Sequence, residues 1–389
     1  MALVATVIIV VNGKMTFFEN YIYNFNTYNS TGDPFNLENS AIITVSGAGC
    51  NNKCTYCFLN QCTKPSISEL NPEKLVSCIK RFSNDLNKKV TIWAGEPLFN
   101  KEVFIKLCDI INATLPNHVI CIYTNGILIN DWWADYFRDH KVHIIVSHDG
   151  PGQKYRGFDF LSSDSHIKAI KKIYDNGNLS GVNSVIHCDN CSFFDIVDFF
   201  ENIEKKTGII FNSQIRTLVG GNLFNKIPLN FDYMDKRLMK YIIDSYAYLF
   251  KALLKNDYNT VLKYFTRESV ADTMPILQEI LGIPVYKAAL CNTSQNKISI
   301  DTKGNHVCLY GGYSVLPDKC YAKAPVTTLN KCNICEIGKA CPIQACLRLS
   351  IDNNMCNQAI SRYKTIRRAL TILLDSTKNN NNNNSFSWS

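Results

Sequence analysis

Three cysteines stand close together in the stretch GAGCNNKCTYCFLNQC, which occupies residues 47–62. Cys50, Cys54 and Cys57 follow one another on a segment just after a short apolar run. A zinc site needs four ligands, usually supplied as two pairs, and the nearby Cys62 has the wrong spacing to complete a second pair. Three thiolates on one loop instead match a 4Fe–4S cluster in which three irons are bound and the fourth stays open. An open iron can bind a small molecule through an amine and a carboxylate.

The whole chain is rich in cysteine, with 17 among 389 residues. A secreted disulfide-bonded protein would be short, so thiols in a chain of this length favour metal binding or catalysis in a reducing compartment. The apolar content of 46% supports a real buried core. No apolar run approaches the roughly 18–20 residues of a membrane span, so we expect no membrane partner. Because the N-terminal run is interpreted below as a hairpin and not as a signal peptide, we expect a cytoplasmic protein.

The N-terminal run ALVATVIIVV resembles the apolar part of a signal peptide, but it has neither a basic leader nor a small-residue cleavage site. Asn12 and Gly13 follow it and precede the segment KMTFF. Two β-rich runs around Asn-Gly are typical of a tight hairpin. The sequence therefore predicts a hairpin at this end.

The formal net charge of +8 points to an acidic partner such as nucleic acid. Thiolates that hold iron would add negative charge that this count omits, so the loaded protein would lie nearer neutrality. The charge thus keeps nucleic acid as an alternative partner without favouring it.

Strands and helices alternate through the first half of the chain. The predicted strands are AIITVS, KVTIWA, HVICIYTNG, KVHIIVSHDG, GVNSVIH and IIFNSQI. The predicted helices include one that begins at Pro72 after the cap residue Asn71, and a long one from Asp232 to about Lys255. This alternation predicts an α/β fold, a partial (β/α)6 TIM-type barrel, whose reactive groups sit at the carboxyl ends of the strands. The cysteine stretch and the segments AGEP, TNG and SHDG all fall at such ends.

Composition divides the chain into five predicted parts. They are an N-terminal hairpin and lead-in (1–38), the partial barrel (39–230), a helical linker (231–288), a cysteine-rich domain organised by metal (289–360), and a basic helix with a disordered Asn-rich tail (361–389). The fourth part carries eight cysteines between residues 291 and 356, with little regular periodicity.

The cysteine spacing CxxxCxxC, with Tyr56 before the last cysteine, resembles the radical S-adenosylmethionine (SAM) family. The segment AGEP resembles that family's GGEP element, TNG the polar end of its fourth strand, and SHDG its S-x-D-G strand end. The resemblance implies that Cys50, Cys54 and Cys57 hold a 4Fe–4S cluster to which SAM binds. It also implies a set of SAM-binding residues: Tyr56, Ala94, Gly95, Glu96, Pro97, Thr124, Asn125, Ser147, Arg156 and Asn183.

Individual roles follow from the chemistry of the ligand. A zwitterionic sulfonium needs an acceptor, for which Glu96 is the candidate, and a close backbone approach, which Gly95 allows. The resemblance assigns Ser147 and Arg156 to the methionine carboxylate or the ribose. Asn183 would lie on the following strand and face the cofactor.

The later cysteines resemble the SPASM extension of radical SAM enzymes, which carries two auxiliary iron–sulfur clusters. The resemblance implies an outer cluster held by Cys332, Cys335, Cys341 and Cys356, and an inner cluster held by Cys291, Cys308 and Cys346. Cys320 is a candidate for the fourth ligand of the inner cluster; otherwise the fourth iron is free to bind substrate or an exogenous ligand. The alternative is a zinc ribbon, which would make the protein a binding module on an inactive barrel.

SPASM relatives act mostly on peptides and proteins, and the resemblance implies such a substrate with an electron donor such as flavodoxin or ferredoxin. Sulfatase maturases place an aspartate directly after the cysteine equivalent to Cys308, whereas Leu309 stands here, which favours another peptide or protein modification. Asp301, Tyr310 and Asp318 are candidates for a catalytic base. Modification of a nucleic acid or nucleotide is the alternative activity.

Overall fold

The computed structural model describes part of the chain. The described residues are 8–11, 14–17, 40–44, 49–57, 69–82, 88–93, 95–115, 118–186, 190–217, 236–254, 257–264, 276, 279–280, 297–305, 307–308, 314–315, 360, 363–372 and 375. The Asn-rich tail and most of the segment predicted to form a cysteine-rich domain lie outside these ranges.

A seven-stranded sheet forms the centre of the molecule. Its strands are β3 (Ser40–Thr44), β4 (Lys88–Trp93), β5 (His118–Thr124), β6 (Val142–Ser147), β7 (Leu179–Ile186), β8 (Ser213–Thr217) and β9 (Lys297–Asp301). The order is β8-β7-β6-β5-β4-β3-β9, and every neighbouring pair is parallel. The first six follow one another as the sequence predicts for a partial barrel, so the α/β fold class is confirmed.

Two pairs of short antiparallel strands form two-stranded sheets of their own. β1 (Ile8–Val11) pairs with β2 (Lys14–Phe17), with Val11 opposite Lys14, as expected for the predicted N-terminal hairpin. β10 (Val307–Cys308) pairs with β11 (Ser314–Val315).

Helices connect the strands, and most of them lie where the sequence predicts a helix, whereas Gln153–Arg156 and Tyr258–Tyr264 are helices that the sequence analysis does not predict. They are α1 (Pro72–Phe82), α2 (Lys101–Thr114), α3 (Asp131–Asp139), α4 (Gln153–Arg156), α5 (Asp164–Asp175), α6 (Phe193–Thr207), α7 (Lys236–Leu254) and α8 (Tyr258–Tyr264), and residues 363–372 are also helical. Side-chain oxygens cap the N-termini of four of them, namely Asn71, Asn100, Asn130 and Ser192. These bonds satisfy backbone N–H groups that a helix leaves without partners in its first turn. None of the helices in the described ranges combines the length and the apolarity that crossing a membrane requires.

The core lies on both faces of the sheet. Ile144, Ile145 and Val146 are consecutive on β6, and none of them is exposed. Since successive side chains of a strand point to opposite faces, the sheet is covered on both sides, as parallel sheets are. Phe104 and Phe137, from the helices α2 and α3, are also completely buried.

Two features of the central sheet differ from the sequence prediction. The last barrel strand begins at Ser213, not at Ile209, and the apolar residues Ile209 and Phe211 before it are buried in the core without being part of the strand. The sequence prediction also omits β9, which pairs with β3 from Ser40↔Lys297 to Thr44↔Asp301. The cysteine-rich part of the sequence therefore contributes a strand to the sheet of the barrel.

The turn after β9 packs on α1. The backbone N–H of Asn71 donates to the carbonyl of Thr302 at 3.1 Å, and the Cys78 thiol contacts the carbonyl of Gly304 at 3.1 Å. Gly304 has φ +72, and a Cβ there would lie 2.8 Å from the backbone nitrogen of Leu75. This position therefore requires glycine, both for its backbone conformation and for the close approach to the helix.

Candidate active site

Residues 49–57, named here the cysteine loop, follow β3 at the carboxyl edge of the sheet. The side chains of Cys50, Cys54 and Cys57 are each partly exposed. The Cys57 N–H donates to the carbonyl of Cys54 at 3.0 Å, so the last two cysteines lie on one turn. Elsewhere, the Glu96 N–H donates to the carbonyl of Gly49 at 2.9 Å, and the Thr55 N–H to that of Tyr155 at 2.9 Å. The loop is thus attached to the barrel on two sides.

The first attachment, named here the β4–β5 flank, consists of Glu96, Leu98, Thr124 and Asn125. The carboxylate of Glu96 is only 1% exposed and accepts three hydrogen bonds. The donors are the Thr124 hydroxyl at 2.8 Å, the Asn125 N–H at 2.6 Å and the Leu98 N–H at 3.1 Å. Burial raises the pKa of Glu96 to about 7, against the three hydrogen bonds, which favour the ionised form.

Asn125 carries this attachment into the cysteine loop. Its side-chain amide donates to the side-chain oxygen of Asn51 at 2.8 Å and lies 3.6 Å from the sulfur of Cys50. Its side-chain oxygen accepts from the Ile127 N–H at 3.0 Å, which fixes the orientation of the amide. Glu96 therefore positions Asn125, and Asn125 positions the first cysteine.

The second attachment, named here the β6–β7 flank, consists of Asp149, Arg156, Tyr56 and Val185. The carboxylate of Asp149 accepts from the Arg156 guanidinium at 2.8 Å and from the Val185 N–H at 2.9 Å. The hydroxyl of Tyr56, which lies between the last two cysteines, donates to the other oxygen of the same carboxylate. The Arg156 guanidinium also lies 5.6 Å from the centre of the Tyr56 ring. A buried ion pair therefore supports the turn that carries Cys54 and Cys57.

Burial raises the pKa of the Cys54 thiol to about 11, although the Arg156 guanidinium opposes this shift. Such a thiol stays protonated at neutral pH until a metal ion displaces the proton. Within the described ranges, no three His, Cys, Asp or Glu side chains converge closely enough to hold a single metal ion. Thiolates that hold a 4Fe–4S cluster need not converge in that way, because each binds a different iron.

Several residues of the loop and of the strands beside it carry buried polar atoms that have no hydrogen-bond partner. In the described part of the chain, these include Nδ2 of Asn52, Nε of Arg156 and Oδ1 of Asn183. Ser147 is the register partner of Asn183, and both lie towards the carboxyl edge of the sheet. Buried polar groups are normally hydrogen-bonded, so these atoms fit a polar ligand with both donors and acceptors. The amine, carboxylate and ribose of SAM present such groups.

The structure brings most of the predicted cofactor residues to one edge of the sheet. The expectation that the Glu96 carboxylate accepts from the ligand agrees poorly with its geometry, because the group is buried and already holds three protein donors. Ala94 lies outside the described residues, whereas Gly95 has φ +66, a conformation that glycine adopts readily.

Of the three candidates for a catalytic base, the structure describes only Asp301. Asp301 ends β9, and its carboxylate accepts from the backbone N–H groups of Lys303 at 2.9 Å and Asn305 at 2.8 Å, and from the Asn305 side chain at 3.0 Å. These bonds close a turn, which gives the carboxylate a structural task. The other two candidates, Tyr310 and Asp318, lie outside the described residues.

The auxiliary ligands mostly stay predictions. Only the backbone of Cys308 is described, in β10. The remaining predicted ligands lie outside the described residues: Cys291, Cys320, Cys332, Cys335, Cys341, Cys346 and Cys356.

Asp149 is one of two site residues that are absent from the sequence prediction, although the quoted motif SHDG contains it. Its position directly after a predicted strand was the available signal, since polar residues at strand ends line the sites of parallel sheets. Thr55 was also missed; its hydroxyl and N–H both donate to the carbonyl of Tyr155.

Comparison with known proteins agrees with this geometry. Residues 44–190 match the model of the Radical SAM superfamily. The radical SAM cyclopropyl synthase TigE of Paramaledivibacter caminithermalis is 29% identical over 185 residues, which cover 42% of this chain and 39% of TigE. A cysteine-type anaerobic sulfatase-maturating enzyme of Clostridium perfringens is 33% identical over 125 residues, which cover 29% of this chain and 33% of the enzyme. The aligned part thus spans well under half the length of these relatives.

A solved structure extends the likeness in fold. Native anSMEcpe with bound AdoMet and Cp18Cys peptide matches with a TM-score of 0.58 at 18% identity, covering 88% of this chain and 99% of that one. This likeness supports the partial-barrel fold.

Proposed function

Because residues 44–190 match the model of the Radical SAM superfamily, we propose that this chain is an enzyme that reductively cleaves SAM and uses the resulting radical to modify a peptide or protein. The observation that carries the proposal is the position of the cysteine loop. Its three cysteines lie at the carboxyl edge of a parallel sheet, the loop is attached on two sides, and the loop and the β6–β7 flank contain buried polar atoms without hydrogen-bond partners. Sites of parallel sheets lie at this edge.

Cys50, Cys54 and Cys57 would hold a 4Fe–4S cluster and leave one iron for SAM. When bound, such a cluster supplies the electron that breaks the carbon–sulfur bond of SAM, giving methionine and a 5′-deoxyadenosyl radical. The residues of the chain would bind and orient SAM, to which Ser147 and Asn183 offer polar groups at the strand ends. The β4–β5 and β6–β7 flanks hold the cysteine loop in place so that little rearrangement accompanies binding.

The proposed substrate class is a peptide or protein. The curated relatives include enzymes named for maturation of sulfatases, and the structure of anSMEcpe contains a bound peptide. Leu309 occupies the position where sulfatase maturases have an aspartate, so we favour a modification other than sulfatase maturation. The donor of the electron would be a small protein such as flavodoxin or ferredoxin.

Two auxiliary iron–sulfur clusters in the cysteine-rich domain belong to the same proposal. They would accept an electron from the substrate radical or bind the substrate. Modification of a nucleic acid is the alternative activity, and a zinc ribbon is the alternative for the cysteine-rich domain.

Metal analysis and one variant test this proposal. Anaerobically reconstituted protein is expected to contain about 11–12 irons with matching sulfide, the number for three clusters. Cys54→Ala is expected to lower the iron content by about four per chain and to abolish formation of 5′-deoxyadenosine from SAM. Cys191→Ala, a partly exposed cysteine outside the loop, is the matched control and should keep both.

Three results would overturn it: zinc without sulfide, deoxyadenosine formation by the Cys54 variant, or an equal loss in the control. Once SAM cleavage is established, incubation with peptide pools and, separately, with oligonucleotides distinguishes the two substrate classes by mass spectrometry of the products.

A further inference from the structure

His148 lies between Ser147 and Asp149. The proposed function gives this residue no role that would explain its buried environment. Its side chain is completely buried. The imidazole stacks on Phe199 with a centroid distance of 5.2 Å, and its edges meet Phe160 at 5.2 Å and Phe200 at 5.9 Å. A polar ring in an aromatic cage is costly unless both of its nitrogens are hydrogen-bonded.

Both nitrogens do have partners. The Gly150 N–H donates to Nδ1 of His148 at 3.0 Å, so Nδ1 carries no proton. Nε2 lies 2.9 Å from Oδ1 of Asp159 and must be the donor of that bond in the neutral ring. Burial lowers the pKa of His148, against the opposing effect of Asp159, which agrees with a neutral imidazole. The structure therefore fixes a single tautomer.

The bond to Gly150 shapes the turn that presents Asp149. It spans residues 148–150, and the Gly152 N–H closes the overlapping turn of residues 149–152 by donating to the carbonyl of Asp149 at 3.1 Å. The side-chain amide of Asn190 donates to that carbonyl as well, at 2.9 Å. The direction of the Asp149 side chain, and hence its contact with Tyr56 and Arg156, depends on this turn.

We propose that His148 is a positioning residue, oriented by Asp159, that fixes the Asp149 turn and through it the side of the cysteine loop that carries Tyr56. The chain of contacts runs from Asp159, in the loop after α4, through the buried imidazole to the ion pair of the β6–β7 flank. Its consequence for SAM binding rests on the proposed function; its consequence for the turn does not.

Two substitutions separate the two hydrogen bonds of the ring. His148→Asn keeps an acceptor at the position of Nδ1, as in an Asx turn, but loses the donor to Asp159. His148→Gln keeps a donor near the position of Nε2 but has no acceptor for the Gly150 N–H. His148→Leu loses both bonds and replaces the ring with an apolar side chain of comparable bulk. If the Nδ1 bond holds the turn, the Asn variant should resemble the wild type more closely than the other two.

The experiment measures the dissociation constant for SAM, together with the electron paramagnetic resonance spectrum of the reduced cluster, on anaerobically reconstituted protein. We expect His148→Leu and His148→Gln to weaken SAM binding about tenfold, because a buried N–H loses its acceptor, and His148→Asn to stay within about threefold. The SAM-induced change in the spectrum should be altered in the first two variants alone.

A second pair keeps the test decisive if the His148 variants fail to fold. Asp159→Asn retains an oxygen that accepts from both His148 and the Leu161 N–H, whereas Asp159→Ala does not. We expect the alanine variant to weaken SAM binding about fivefold, and the asparagine variant to restore wild-type affinity. Phe137→Leu, on the buried face of α3, controls for general destabilisation and should lower the melting temperature without changing the affinity.

Unchanged SAM affinity in both His148→Leu and Asp159→Ala would overturn the inference, as would an equal loss in Phe137→Leu. Failure of the proposed function would give a different result, because the wild-type protein itself would then bind no iron or SAM. In that case, hydrogen exchange of the Gly150 and Val185 amides still tests the turn. Faster exchange is expected in the Leu variant and not in the Asn variant, and equal rates would overturn the inference.

Discussion

The two flanks of the cysteine loop solve the same task with different chemistry. On the β4–β5 flank, Glu96 is surrounded by neutral donors, namely a hydroxyl and two backbone N–H groups. On the β6–β7 flank, Asp149 is paired with the buried Arg156 guanidinium. Both carboxylates are almost completely buried. One flank thus buries a single ionisable group, and the other buries a charge pair.

This difference determines how each flank responds to substitution and to a change of pH. Removing one member of a buried ion pair leaves the other charge uncompensated, which is more costly than any single neutral hydrogen bond. A buried carboxyl held by neutral donors instead keeps a proton to higher pH. We therefore expect the β6–β7 flank to be sensitive to substitution and the β4–β5 flank to be sensitive to pH.

The largest effect is expected from Arg156→Met, which leaves the Asp149 carboxylate buried without its cation. The expected loss is about 3–5 kcal/mol, seen as a fall of about 5–15 °C in the melting temperature of reconstituted protein by circular dichroism. Lys154→Met, at an exposed position on the same short helix, should change stability by less than about 0.5 kcal/mol. Equal melting temperatures for the Arg156 variant and the wild type would remove the distinction between the flanks.

A smaller, pH-dependent effect is expected at Glu96. Its folded pKa of about 7 lies above the ordinary value of 4.5, so protonation favours the folded state. The stability from this group is fully present below pH 4.5 and is lost as the pH rises through 7. Glu96→Gln cannot ionise, so its stability relative to the wild type should rise by on the order of 2–3 kcal/mol from pH 4.5 to 8.

Chemical denaturation of both proteins across this pH range measures the difference. The Gln variant also loses the acceptor for the Asn125 N–H, so the informative quantity is the slope with pH and not the offset. Parallel pH profiles for the two proteins would show that Glu96 is not the titrating group.

The smallest effect is expected from Thr124→Val, which removes one donor to Glu96 and the acceptor of the Gly126 N–H at 3.2 Å. A loss of about 1–2 kcal/mol follows from the two hydrogen bonds. Because the Thr124 hydroxyl lowers the pKa of Glu96, its removal should also move the pH midpoint upward. Thr124→Ser should restore both properties, and a Ser variant as unstable as the Val variant would assign the effect to packing.

Much of this arrangement follows from local sequence pattern. The barrel strands and the position of the cysteine loop were predictable because apolar runs, cap residues and polar strand ends recur at regular intervals. The bond between Tyr56 and Asp149 was not, because it joins residues 93 positions apart whose meeting depends on the closure of the sheet. The strand KISID was missed for a similar reason: five residues within a cysteine-rich segment give no sign that they pair with β3.

The pairing of β9 with β3 has a consequence for how the protein is made. A ribosome delivers residues 40–44 long before residues 297–301, so β3 waits with one edge unsatisfied during most of translation. Open strand edges invite pairing with other nascent chains. Completion of this edge is also a contact between distant parts of the chain, a kind that slows folding. Synthesis truncated before β9 should therefore yield aggregating barrels, whereas chains released after it should complete the sheet.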